Sequence, residues 1–545
     1  MKNIIYQIIK ISNTTGLMVV INAIILLMVF LQPMEARAET EPVQILSTVL
    51  GVGSGQTPAL DGFDPLISTT EASEDLESLY IYPLLYVNRK MQIDYSKSIA
   101  SSISINKKQT LYIIKLKKNF EWSNGKEVTA NDVLNCFTEI KKLGALFPNQ
   151  GLAGIPQNID YLKINNSHEL TIKLKSRINP KLFELDGLTM LNPIYSKPPT
   201  KKNLEKNSSK INAFKISDGP YKLVAYYPGR YVELEKNNNF TLKKELSGPN
   251  FLRLSLNYNN LSQVMGLFAN KLQIVEPLAS FKSAVKNNSN VDIFVNKKGF
   301  MGFNFIAINY NNKSMNEFKN WKIRHELSQA VNQNEIIKSV YHGYGYQMHG
   351  VISKAQLALI KYPAKKVRAN NKHIILNDNY RIKSEKEKMV NSKSITLLCS
   401  DDLTEKSIAE IVKSNWSRIG IRVNIKILPS NLLIEKLRTN SWQMAIVSFA
   451  TNNIPIMSML LGDGGRFNFS GYKNSRINLL FKKIKLSNNN QELSKRMYEM
   501  NNFIIKEQPF IILPHQKIII AYQRKFKDVG DAFPPQGGFW PQKIN

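Results

Sequence analysis

A short stretch of this chain predicts a strand, a tight turn and a capped helix, and it constrains the fold more than any other stretch. Alternating apolar residues over Leu111–Leu116 predict a half-buried strand. Residues 123–125 (Ser-Asn-Gly) predict a tight turn, because Asn and Gly tolerate positive φ. Thr129 and Asp132 then have the spacing of a capping box ahead of an apolar helix face. We expect Trp122 to pack beneath the turn, within a mixed α/β structure.

The rest of the chain repeats this mixture of strands and helices. An apolar face predicts a helix from Glu74 that continues through Pro83 to Leu85. Strands and helices alternate over residues 395–449, which is typical of an α/β lobe. With 545 residues, the chain is long enough for two or three lobes with sizeable cores.

The first residues have the composition of a secretory signal peptide. Lys2 and Lys10 precede an apolar run over residues 17–31, and Ala36-Arg37-Ala38 offers a cleavage site. An uncleaved anchor is the alternative, but the run is shorter than the roughly 20 residues that span a bilayer. No Cys follows the run directly, which argues against a lipid anchor. We therefore expect export to the periplasm, with cleavage after Ala38.

The formal net charge of the chain is +31. A basic surface can attract nucleic acid, anionic lipid or acidic solutes. A coding bias towards Lys, Asn and Ile is the alternative, and the scattered lysines favour it because no long basic block is present. The two cysteines, Cys136 and Cys399, are far apart, so we expect two buried free thiols, although an exported chain could pair them.

The sequence contains no motif that predicts an enzyme or a metal centre. A nucleophile elbow, a zinc-protease helix, a phosphate-binding loop and a C-x-x-C pair are all absent from it. His342 and His349 are seven residues apart and form no ligand motif. We expect no catalytic residues, no metal and no cofactor.

Residues 120–133 (FEWSNGKEVTANDV) resemble the signature of family 5 extracellular solute-binding proteins, the peptide- and nickel-type receptors of ABC importers. The same resemblance extends to residues 217–223 (SDGPYKL) and 509–514 (PFIILP). It also covers a helix that keeps Arg324, Leu327 and Ala330. These markers keep the order that the family has, although residues 270–274 (NKLQI) lack the acid expected there.

The resemblance implies an α/β fold of the periplasmic-binding-protein type II class, with two large lobes joined by hinge strands and an extra inserted subdomain. The domain division that it implies is a signal peptide (1–38), lobe I in two parts (39–86 and 196–298), an inserted subdomain (87–195), lobe II (299–514) and a C-terminal return to lobe I (515–545).

The resemblance also implies a ligand cleft between the lobes. In peptide-binding members, an Asp after a strand of lobe II pairs with the α-ammonium of the peptide, and this chain has Thr451 at that position. A hydroxyl cannot neutralise an ammonium, so either another acid such as Glu71 does so or the ligand has no free amino terminus. The excess of positive charge would also suit an anionic ligand. The predicted ligand-binding residues are Thr69, Thr70, Glu71, Phe147, Ser448, Phe449, Thr451 and Asn452.

Three hypotheses follow for the function. The leading one is a monomeric periplasmic receptor that delivers short peptides to an inner-membrane ABC permease and binds no nucleic acid. The second is a receptor for a non-peptide solute, such as a nickel chelate, haem or an anionic cell-wall fragment. The third is an exported binding or chaperone-like protein without a role in transport.

Overall fold

The computed structural model describes most of the chain beyond its N-terminal segment. The described residues are 45–52, 60, 62–64, 68, 70–86, 88, 92–146, 158–182, 215–256, 258–296, 302–352, 394–450, 456–465, 467–533 and 539–544. Residues from 45 onwards form one compact unit.

The strands of this unit are short and occur along its whole length. They are β1 (Ile45–Val49), β2 (Ala100–Ile105), β3 (Leu111–Leu116), β4 (Ile159–Asn166), β5 (Glu169–Leu174), β6 (Tyr221–Tyr227), β7 (Tyr231–Lys236), β8 (Phe251–Ser255), β9 (Ile274–Val275), β10 (Val291–Val295), β11 (Gly302–Ile308), β12 (Gly345–Tyr346), β13 (Ser394–Ser400), β14 (Arg422–Leu428), β15 (Met444–Ala450), β16 (Ile511–Ile512), β17 (His515–Gln516) and β18 (Ile519–Gln523).

Helices separate many of these strands. They are α1 (Glu71–Tyr80), α2 (Ala130–Leu146), α3 (Asn260–Phe268), α4 (Lys282–Lys286), α5 (Trp321–Ala330), α6 (Gln333–Ser339), α7 (Leu403–Ser417), α8 (Ser430–Leu437), α9 (Ile456–Leu461), α10 (Ser475–Lys485) and α11 (Asn490–Glu507).

Two sheets form the part of the molecule that we call lobe I. In the first, of order β1-β8-β7-β6, the pair β1 and β8 is parallel and the other pairs are antiparallel. The second, of order β10-β18-β9, is antiparallel throughout. The α1 helix packs against β6, and apolar residues of this helix and of both sheets form buried clusters, including Leu79, Leu46 and Tyr221. The C-terminal strand β18 therefore belongs to the same lobe as the N-terminal strand β1.

A five-stranded sheet forms the part that we call lobe II. Its order is β14-β13-β15-β11-β16, in which β14, β13 and β15 run parallel and the two remaining strands run antiparallel to their neighbours. The helices α7, α10 and α11 supply buried residues to the core of this lobe, such as Trp416, Ile477 and Ile504. Parallel strands with covering helices confirm the α/β lobe that the sequence predicted over residues 395–449.

A separate antiparallel sheet contains the strand-turn-helix stretch. Its order is β2-β3-β5-β4. The backbone N–H of Thr129 donates to a carboxylate oxygen of Asp132 at 2.7 Å, which is one half of a capping box. The Thr129 hydroxyl also donates to that carboxylate. Trp122 is buried, and its backbone closes the turn: its N–H donates to the carbonyl of Lys126, and its carbonyl accepts from the N–H of Gly125. Gly125 has a φ of +78°. The predicted strand, turn and helix are confirmed.

Two further predictions can be compared with the structure. The helix expected from Glu74 to Leu85 is wrong in its bounds, because α1 begins at Glu71 and ends at Tyr80. Thr70 caps its N-terminus, and extended backbone at Ile81 stops it before Pro83. The prediction that the two cysteines form no disulfide is confirmed, since Cys136 and Cys399 are both buried and no S–S bond joins them.

The chain passes from lobe II back to lobe I through residues 513–518, between β16 and β18. This crossover contains β17, which pairs with β12. Within the described part of the chain, no helix combines the length and the apolar character needed to cross a membrane.

Candidate functional site

A small open cleft lies between elements of lobe I and elements of lobe II. Residues 49–52 and 276–278, together with Asn260 and Gln263 of α3, line it from lobe I. Asp402, Thr404 and Gln516 line it from the other side. A concave space with polar groups from two lobes is the default candidate for a ligand site.

The first wall of the cleft is the carboxyl end of β1 and the turn that follows it. Gly51 has a φ of +72°, which turns the chain away from the sheet. The backbone N–H of Leu50 donates to the carbonyl of Ser255 at 2.9 Å, so the turn stays attached to β8. The Thr48 hydroxyl donates to the carbonyl of Ile274 at 2.7 Å. These bonds hold the end of β1 next to the segment that follows β9.

Helix α3 fixes the position of Glu276 in the same wall. The Asn259 side chain caps this helix by accepting from the N–H of Ser262 at 2.9 Å. One turn along, Gln263 is buried, and its side-chain oxygen accepts a hydrogen bond from the backbone N–H of Glu276 at 3.2 Å. The carboxylate of Glu276 is therefore carried on a backbone segment attached to both α3 and β1.

The opposite wall is the N-terminus of α7, which follows β13. The Asp402 side chain accepts hydrogen bonds from the N–H groups of Thr404 and Glu405 at 2.8 and 3.1 Å. Acidic side chains are favoured at this end of a helix because its N–H groups carry partial positive charge. Asp402 is therefore held at the mouth of the parallel strands, the usual ligand position in α/β sheets.

Glu405 is the third residue of α7, and its backbone N–H is one of the two that donate to Asp402. One of its carboxylate oxygens accepts from the N–H of Ser400 at 2.9 Å, and the other lies 3.5 Å from the hydroxyl of Ser448. Burial raises the pKa of the Glu405 carboxyl, and the hydrogen bonds from Ser400 oppose this rise. This contact connects the α7 wall to the predicted site residue Ser448.

The structure describes four of the predicted ligand-binding residues at least in part. Ser448 and Phe449 lie on β15, opposite Asn304 and Phe303 of β11. The Phe449 ring meets Phe467 edge to face, with ring centroids 5.0 Å apart. Neither residue is among the described residues that line the cleft, so their contact with a ligand stays a prediction.

Thr70 has a structural role in this fold. Its hydroxyl oxygen accepts the N–H of Ser73 at 3.3 Å and caps α1, and Glu71 is the first residue of that helix. The remaining predicted site residues, which lie outside the described residues, are Thr69, Phe147, Thr451 and Asn452.

Sequence reasoning missed the acids of the cleft, although one of them had a local signal. Asp402 lies between the strand predicted over Ile395–Cys399 and the helix predicted from Thr404, which is where N-cap residues occur. Glu276 had no such signal, since it lies just beyond the segment 270–274 where an acid was expected and not found. Within the described residues, no group of three or more His, Cys, Asp or Glu side chains could hold a metal ion.

Comparison with known proteins gives one family for this chain. A model described as the middle region of bacterial extracellular solute-binding proteins, family 5, matches residues 94–469. The oligopeptide-binding protein AppA of Bacillus subtilis is 25% identical over 488 residues, which cover 85% of each chain. A probable D,D-dipeptide-binding periplasmic protein of Escherichia coli is 23% identical over 462 residues, covering 82% of this chain and 84% of its own.

Solved structures show the same fold. Bacillus subtilis AppA in complex with a nonapeptide superposes with a TM-score of 0.74 at 20% identity, covering 92% of this chain and 99% of that one. NikZ from Campylobacter jejuni in complex with Ni(L-His) superposes with a TM-score of 0.73 at 18% identity, covering 92% of this chain and 100% of that one. The predicted type II binding-protein fold is therefore confirmed.

Proposed function

We propose, because the chain belongs to the bacterial extracellular solute-binding proteins of family 5, that it is the substrate-binding component of an ABC importer and that its cleft binds short peptides. The observation that carries this proposal is the cleft with walls from both lobes. The peptide-binding names of the relatives support peptides as the ligand class.

The proposed mechanism is closure of the two lobes around the solute, followed by delivery to an inner-membrane permease. Lobe closure about a few connecting residues is a known class of motion. The crossover at residues 513–518 is one of the connections that such a closure would bend. Polar groups such as Gln263 and Gln516 would contact main-chain groups of a peptide, directly or through water.

A second candidate is a receptor for a nickel chelate or another non-peptide solute. The likeness to a solved Ni(L-His) complex has almost the same TM-score as the likeness to the nonapeptide complex. The neutral Thr451, at the position of the acid that pairs with an ammonium, favours this candidate as well.

The remaining parts of the proposal concern processing and organisation. We propose that the signal peptide is cleaved after Ala38, and that the mature protein is a periplasmic monomer without enzymatic activity or affinity for nucleic acid. The domain boundaries at residues 87, 196, 299 and 515 stay predictions. The part that the predicted site residues play in ligand binding also stays a prediction.

Native mass spectrometry of the protein, gently purified from its own periplasm, tests the proposed function. Denaturation then releases anything bound. A ladder of short peptides is the expected result, and a single non-peptide mass or a metal would favour the second candidate. An empty protein that also shows no thermal shift with peptide pools would contradict a transport role.

A further inference from the structure

One side of helix α10 presents cations to solvent. Arg476, Lys482 and Lys483 are exposed, and Leu479 lies between them with a side chain that is 50% exposed. Because Leu479 is three or four residues away from each of the cations, all four residues share one side of the helix. The other side packs into the core of lobe II through residues such as Ile477.

The turn between β2 and β3 adds two more cations at the end of this helix. Lys107 and Lys108 are exposed in that turn. The residue that follows them, Gln109, donates from its side chain to the carbonyl of Asn488 at 3.2 Å, just beyond the end of α10. The two lysines therefore stand beside the C-terminal end of α10, although they belong to a different sheet.

Hydrogen bonds hold the two parts together. The Arg177 guanidinium donates to the carbonyl of Leu486 at 2.8 Å. The buried side chain of Asn179 donates to the carbonyl of Ser487 at 2.9 Å, and its backbone N–H donates to the carbonyl of Lys485 at 2.9 Å. The exposed residues of both parts thus belong to one surface. We name it the basic surface, and it consists of Lys107, Lys108, Arg476, Leu479, Lys482 and Lys483.

The basic surface keeps an excess of positive charge. Within the described part of the chain, no carboxylate forms a salt bridge with its five cations. Two acids lie at its edges. Glu492 accepts two hydrogen bonds from Asn488 at 2.9 Å and lies 3.6 Å from the guanidinium of Arg496, which compensates its charge. Asp463 is exposed, and its backbone N–H donates to the side chain of Asn478 at 3.0 Å.

Two simpler explanations account for part of this charge: lysines are scattered over a chain with a formal net charge of +31, and cations in the last turn of α10 interact favourably with the helix dipole. Neither explanation places an exposed leucine among the cations. Such a combination suits a lipid surface, because headgroup phosphates attract the cations and the boundary with the acyl chains accepts an apolar group. Nucleic acid phosphates would leave Leu479 in water.

We propose that the basic surface docks on anionic phospholipid headgroups, which would hold the protein against the periplasmic side of the inner membrane. Clusters of Lys and Arg are attracted to anionic membranes, and the attraction decays within a Debye length of about 10 Å in 0.1 M salt. None of these residues is among those that line the cleft, so docking leaves the described walls of the cleft free. The inference goes beyond the proposed function, since delivery to a permease requires no affinity for lipid.

Flotation of the protein, purified from the periplasm, with lipid vesicles tests the inference. One set of vesicles is an equal mixture of phosphatidylglycerol and phosphatidylcholine, and the other is phosphatidylcholine alone. We expect binding to the mixed vesicles to be at least about tenfold tighter, and to disappear at high salt. Equal binding to both sets, unaffected by salt, would show an apolar anchor and would overturn the inference.

A charge-matched pair of variants separates the basic surface from the net charge. The combined change Lys107→Gln, Lys108→Gln, Lys482→Gln and Lys483→Gln should weaken binding to the mixed vesicles at least about tenfold. The control removes four other exposed lysines, through Lys243→Gln, Lys271→Gln, Lys313→Gln and Lys338→Gln, and should weaken binding less than about twofold. Equal losses in the two variants would show that net charge alone attracts the protein, which contradicts a docking surface.

Leu479→Ser and a DNA duplex separate lipid from other polyanions. This variant should bind the mixed vesicles more weakly and leave any binding of the duplex unchanged. If the duplex binds as tightly as the vesicles and Leu479→Ser affects neither, the surface attracts polyanions in general and lipid docking is wrong. Peptides that the protein carries through purification report on the proposed function separately. A protein that carries peptides but floats with neither set of vesicles overturns the inference alone.

Discussion

The ring of His515 lies against the ring of Tyr346 in an edge-to-face contact, with ring centroids 5.4 Å apart and planes inclined by 74°. The two residues are opposite each other in the β12–β17 pair, and His515 lies in the crossover between the lobes. Neither ring nitrogen of His515 has a hydrogen-bond partner among the described residues. A neutral imidazole is therefore buried at the connection that lobe closure would bend.

This contact predicts an acid-sensitive structure. Burial lowers the pKa of His515 from 6.5 to about 4. The unfolded chain takes up the proton first, so the free energy of unfolding is largest above pH 6.5 and falls as the pH drops towards about 4. The loss from this residue is about 3 kcal/mol. Urea unfolding midpoints between about pH 7 and about pH 4 measure it.

The variant His515→Phe keeps an aromatic ring beside Tyr346 and removes the titration. We expect a flatter dependence of the midpoint on pH, with a remainder from His349, whose pKa is also lowered by burial. His342→Asn is the control, because His342 is exposed and Asn tolerates its positive φ. An unchanged slope in His515→Phe would contradict this explanation.

A second prediction concerns Arg324, whose guanidinium is buried at the start of α5. It donates to the carbonyls of Phe318 and Lys319, both at 2.8 Å, and to those of Glu507 and Gln508 at 2.5 to 3.0 Å. Arg324→Met leaves these carbonyls without their donor, which costs about 3–5 kcal/mol. Thermal unfolding should show a drop in Tm of several degrees or more.

Arg324→Lys should recover only part of this loss, because an ammonium has three donors and cannot reach all four carbonyls from one position. Lys322→Ala on the same helix is the control, since Lys322 is exposed. A Tm of Arg324→Met equal to that of the control would show that water replaces the lost donors.

Local signals made the elements of this fold predictable, whereas the cleft required long-range contacts. The strand at Leu111–Leu116 and the cap at Thr129 depend on neighbours within a few residues, so the sequence pattern was sufficient. The cleft brings residues 49–52 together with Asp402, some 350 positions away, and no periodicity encodes that approach. Glu276 was missed for the same reason, because only its bond to Gln263 and its neighbour Asp75 reveal its place.

A third prediction explains why the SDGPYKL stretch contains Gly219. A Cβ atom added there would lie 2.6 Å from the carbonyl carbon of Tyr80 and 2.8 Å from the carbonyl oxygen of Leu79. The N–H of Gly219 also donates to the carbonyl of Tyr80 at 3.1 Å. Gly219→Ala must therefore separate β6 from the end of α1, and we expect a loss of more than about 3 kcal/mol or no soluble protein.

Gly229→Ala provides the comparison, because nothing lies within 4 Å of its added Cβ and only its φ of +67° is unfavourable. It should cost about 1 kcal/mol. Expression and thermal unfolding of both variants give the answer, and equal losses would show that backbone strain, not the close approach to α1, explains Gly219.

A fourth prediction separates the two roles of Asp402. Asp402→Asn keeps an acceptor for the N–H groups of Thr404 and Glu405, so stability should change by only a few tenths of a kcal/mol. Asp402→Ala removes the acceptor and should cost about 1 kcal/mol. Both variants remove a charge that lines the cleft, so both should change the affinity for a peptide ligand to a similar extent. Different binding losses in the two variants would mean that helix geometry, not charge, controls the affinity.

The last prediction is that Asp75→Asn makes the empty protein more stable. Burial and two neighbouring acids raise the pKa of Asp75 above its ordinary value of 3.8, so its ionised form is disfavoured in the folded chain. The folded state therefore holds its proton more tightly than the unfolded state, and stability falls as the pH rises above 3.8. The amide variant has no such loss, so its gain should be largest near neutral pH and fade towards about pH 4. Urea unfolding midpoints near neutral pH and at about pH 4 measure the gain. A variant that is less stable than the original protein at neutral pH would show that the folded protein stabilises this carboxylate.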